Sequence, residues 1–68
     1  MIKNDSELAA TLERVRWIQN QLSTLRKVET NPVNYRLSAS GFLAELDRMQ
    51  LQVREYLSLP EQSVLAPL

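Results

Sequence analysis

Neither cysteine nor histidine occurs in the 68-residue chain. The first absence removes disulfides, and the two together remove the usual zinc ligands. Without histidine there is no histidine-assisted catalytic triad. There is one glycine, Gly41, so the chain has no phosphate-cradling loop and no Gly-x-Ser-x-Gly elbow. Carboxylates remain as possible ligands for calcium or magnesium, but no Asp-rich loop of the EF-hand kind is present. No catalytic, cofactor-binding or metal site is expected, and no enzymatic activity.

Charge of one sign is also missing. Eight Lys and Arg balance eight Asp and Glu, so no net field draws the chain to nucleic acid or to an anionic membrane. No apolar run is long enough to span a bilayer. The opening Met1-Ile2-Lys3-Asn4-Asp5 turns polar at once and lacks the apolar core of a signal peptide. The expected location is the cytoplasm.

What is present is helical periodicity. Hydrophobic residues make up 44% of the chain and charged residues 24%, a balance that can fold. In the first half, Leu8, Val15, Ile18, Leu22 and Leu25 recur at alternating spacings of three and four, with Thr11 in the missing step. That is the pattern of helix-on-helix, coiled-coil-like packing. Leu12 widens the stripe. The spacing predicts a helix over residues 5–28. Asn4 with Glu7 suggests an N-terminal capping box, acidic Asp5 and Glu7 suit the start, and Arg26 and Lys27 suit the end.

A second stripe holds Ala39, Phe42, Leu46, Met49, Val53 and Tyr56, widened by Leu43 and Leu57. It predicts a helix over 39–57, stopped by Pro60. The link over 29–38 has two readings. Asn31-Pro32-Val33-Asn34 makes a turn with the fixed φ of proline. Alternatively, Asn31 caps a longer helix with Pro32 at its first position, and Tyr35 extends the stripe. Ser38-Ala39-Ser40-Gly41 is poor helix interior and argues for the first reading. Under both, the link is short and the helices must return antiparallel. The expected fold is therefore all-α: an antiparallel two-helix hairpin over 1–58, assembling into a helical bundle, with a flexible apolar tail over 59–68.

The hairpin seam is expected to consist of Leu8, Val15, Ile18, Leu22, Leu25, Phe42, Leu46, Met49, Val53 and Tyr56. A chain this short, without disulfide or metal, needs a further packing surface, and oligomerisation is the route left. Trp17 lies about 120° from the centre of the first stripe at 100° per residue, and Leu51 lies similarly off the second. Both are expected to face away from the seam, as candidate anchors for a partner. Val64 and Leu65 in the tail join them. The bland alternative is a half-exposed tryptophan and a frayed end.

Arg14 and Arg48 flank their stripes, with Glu45 and Glu55 as plausible counterparts across a helix interface. Arg14, Arg16, Trp17, Arg26 and Lys27 on one helix offer a nucleic-acid-binding alternative, although Arg14 and Arg16 point about 160° apart. Glu45 and Asp47, two residues apart on a helix, do not face each other and read as solvated surface.

The opening Met1-Ile2-Lys3-Asn4-Asp5, the long amphipathic helix, the proline-containing turn and the second helix ending near Arg54-Glu55-Tyr56 resemble a known arrangement. They are similar to the N-terminal helical hairpin of some small bacterial antitoxin-like transcription regulators. There a helix-turn-helix DNA-binding domain follows the hairpin, whereas the present sequence stops near that point. DNA binding is therefore not carried over. The resemblance implies a bacterial, intracellular hairpin used for association, with another copy or another helical protein as partner.

Overall fold

A computed structural model describes residues 1–60. It contains two helices, α1 (Asp5–Val28) and α2 (Pro32–Leu57), and no strand among the described residues. Cross-helix pairs fix the topology. Asp5 meets Tyr56, and Arg14 meets Glu45. Residues early in α1 thus face residues late in α2, so the two helices run antiparallel as a hairpin. The molecule is a single layer, 54 × 16 × 12 Å.

The N-terminus of α1 is held by its own side chains. Asn4 Oδ1 accepts the Glu7 N–H at 2.8 Å, filling one of the orphan donors of the first turn. Glu7 Oε1 in turn accepts the Lys3 N–H at 2.8 Å. In a capping box the return bond goes to the cap residue itself. Here it goes one residue earlier, which draws the first three residues back along the hairpin. Ile2 consequently becomes buried, at 8% exposure.

The start of α2 corrects the expected 39–57 boundary. The helix begins at Pro32, and of the two readings of the link the capped, longer helix is the one observed. Asn31 Oδ1 accepts the N–H groups of Val33 and Asn34 at 2.9 and 3.2 Å. Proline at the first position loses no bond, because its missing donor would have been an orphan. Glu29 Oε1 accepts the Asn31 N–H at 3.0 Å and fixes the turn. The weak formers at 38–41 are carried through by packing. Ala39 is completely buried, and Tyr35 packs against the same cluster. Helix propensity differs by less than about 1 kcal/mol per residue, and tertiary contacts override it.

Asn31→Ala removes the acceptor of two backbone donors. It is expected to lower stability by about 1 kcal/mol, read as the urea midpoint by circular dichroism. Ser38→Ala, on an exposed position, is expected to leave that midpoint in place. Equal midpoints for the two variants would mean the cap does not set the start of α2.

The core is a line, not a volume. Ile18, Leu22 and Ala39 form its centre, with Leu25, Tyr35, Phe42, Leu46 and Met49 packed round them. Ile18 is the one large side chain that is fully buried among the described residues. Thr11 sits on the seam without an unsatisfied hydroxyl, because its Oγ1 donates to the Glu7 carbonyl at 2.8 Å.

Candidate association surface

All ten seam residues are buried or half-buried: Val15, Ile18 and Leu22 are buried, and Leu8, Leu25, Phe42, Leu46, Met49, Val53 and Tyr56 are half-buried. The Tyr56 hydroxyl donates to Asp5 Oδ1 at 2.7 Å and ties the open end of the hairpin together. Charged Glu13, Arg16, Lys27, Asp47 and Arg54 are exposed.

Trp17 is placed differently from the expectation that it faces away from the seam. Its indole is 44% exposed, but its ring packs edge-on against Phe42, with centroids 6.1 Å apart and planes at 68°. The Arg14 guanidinium lies 4.5 Å from the indole centroid. The same guanidinium forks onto Glu45, with Nε 3.1 Å from Oε2 and Nη2 3.3 Å from Oε1. Trp17, Arg14, Phe42 and Glu45 thus form a clamp across both helices. The wheel angle missed it because a long indole reaches over the flank of its helix, and the angle measures only where Cβ starts. The ion pair is largely open to water and adds little stability by itself.

The clamp also changes the account of the first-helix cations. Arg14 is engaged by a carboxylate and a ring face. Arg16, Arg26 and Lys27 remain exposed. Among the described residues no group of three or more acidic, histidine or cysteine side chains converges. No helix among them is long and apolar enough to cross a membrane.

Leu51 is exposed and lines a groove of about 400 Å³ at the open end of the hairpin. Ile2 of the N-terminal segment forms one side. Arg48, Gln52, Glu55 and Leu59 form much of the rest. Periodicity alone does not reveal this groove, because Ile2 belongs to neither heptad stripe. Val64 and Leu65, the other candidate contact residues, lie outside the described residues, as does the expected tail from residue 61 onward.

The exposed apolar surface is large for the size of the core. Val28, Val33, Leu37, Leu57 and Leu59 are each more than half exposed, as is Leu51. Comparison with protein-family models, curated proteins and solved structures finds no match for the chain.

Proposed function

We propose that this hairpin is a non-enzymatic association module that acts by packing against other helices in the cytoplasm of a bacterial cell. A regulatory role of the antitoxin-like kind fits that reading. Its partner is a second copy or a helical protein. The observation that carries the proposal is the imbalance of burial. Among the described residues, Ile18 is the one large side chain fully buried, while ten large apolar residues are exposed. A two-helix layer has no inside in which to place them, and covering them with further helices is the available gain. Trp17, through the part of its ring that Phe42 and Arg14 leave open, and Leu51 are the side chains we put forward for contact. Nucleic-acid binding is the weaker alternative, since Arg14 is already spent on Glu45 and the indole.

Sedimentation equilibrium at micromolar concentration tests the reading. The expected mass lies above the 7.8 kDa of one chain, and it should hold as salt is raised. Binding through phosphates would instead weaken steeply with salt. A chain that stays at 7.8 kDa while keeping full helix content and melting cooperatively would overturn self-association.

A further inference from the structure

Resting on that reading, we infer that the partner is a second copy of this chain, docked antiparallel through the outer face of α2 about a two-fold axis at Ala44. The argument begins from a strip opposite the seam. Val33, Leu37, Gly41, Ala44, Arg48 and Leu51 follow one another along it at helical spacing, and all are exposed. Its two ends differ in shape. Toward the turn stand Val33 and Leu37, at 63% and 71% exposure. Toward the open end lies the groove of about 400 Å³ beside Leu51. One end is a pair of knobs and the other is a hole.

A two-fold interface requires a patch that complements itself. This strip does so about a single residue. Leu37 and Leu51 lie seven positions on either side of Ala44, about 10.5 Å each way along the helix. Rotation about Ala44 sets Leu37 of each copy against Leu51 of the other. It sets Val33 against Glu55, on the rim of the same groove. Each copy thereby fills the other's groove with two aliphatic side chains.

The middle of the strip permits the approach. Ser40, Gly41 and Ala44 carry almost no bulk, and a methyl group added at Gly41 would meet nothing within 4 Å. Under the rotation Arg48 lies over the space at Gly41 and Ser40, so its guanidinium is not buried against another cation.

The chain lacks cysteine, which makes the axis directly testable. Helices packed at about 9–10 Å bring Cα atoms on a dyad to ~5 Å, within disulfide range. Ala44→Cys should therefore cross-link to a covalent dimer under mild oxidation, and Arg16→Cys, on the outside of α1, should not. Leu37→Glu, present twice per dimer, should weaken dimerisation about a hundredfold, some tenfold for each copy. Its helix content should be unchanged, because Leu37 supports nothing in the hairpin. Ser23→Glu, on exposed Ser23 of α1, should leave the mass as it is. If the protein assembles but Ala44→Cys does not cross-link and Leu37→Glu has no effect on mass, this docking mode is wrong while association stands. A monomer at every concentration overturns both.

Discussion

Replacing Ile18 with alanine is expected to cost roughly 2–5 kcal/mol, the range for truncating a large buried aliphatic side chain. A chain of this length has a total stability on the order of 3–10 kcal/mol, so the variant should be largely unfolded at low concentration. The reason is that the core cannot share the loss. Ile18 has no exposed surface, and it packs with Leu22 and Ala39 at the centre of a thin core that only two helices supply. Leu22→Ala should fall in the same range. Leu46→Ala should cost less, because Leu46 is only half-buried. Ser23→Ala, on the outer face, should be close to neutral. Urea titrations followed by circular dichroism would order the four midpoints. An Ile18→Ala midpoint no lower than that of Ser23→Ala would mean that the helices do not meet on this face.

The seam spacing was legible in the residues, for a physical reason. Spacings of three and four place Leu8, Val15, Ile18, Leu22 and Leu25 on one side of a helix however it is packed. A face that wide must be covered, so fold and seam follow from the period alone. The start of α2 was less legible, because two signals conflicted. Asn31-Pro32 marked a helix start, while Ser38-Ala39-Ser40-Gly41 argued against helix. The propensity deficit of these residues is small, and it belongs to an isolated peptide. Ala39 has no exposed surface and belongs to the core cluster, so a small residue there suits the packing, and Gly41 faces open space.

The candidate surface was legible only in part. Leu51 lies off the heptad stripe, and that suffices to put it outside. The groove beside it depends on Ile2, which reaches α2 because Glu7 bonds the Lys3 N–H and folds the first residues back. No periodic pattern contains that information: the contact joins residues about fifty positions apart through a turn that obeys no period. Arg14 with Glu45 was legible as charges beside two stripes, but not that the same guanidinium would cover the indole.

Trp17→Ala gives the second large effect, and it separates a residue that closes the hairpin from one that serves only a partner. The edge-on contact with Phe42 is of a kind worth about 0.5–1.5 kcal/mol beyond its buried area. A guanidinium over an exposed indole face adds about 0.5–1 kcal/mol. With the covered half of the ring, the expected loss is about 2–3 kcal/mol. It should appear at concentrations too low for assembly, as a fall in the urea midpoint of the single chain. Trp17→Phe should recover part of it, since a phenyl ring keeps some of the Phe42 contact and offers a poorer face to Arg14. The effects of Trp17→Ala and Phe42→Leu should be less than additive, because either variant removes the same ring pair. The single tryptophan also reports on itself. Its fluorescence should follow the unfolding of the hairpin with the same midpoint as circular dichroism. An unchanged midpoint for Trp17→Ala, together with a lower assembled mass, would mean that the indole closes nothing within the hairpin and serves the partner alone.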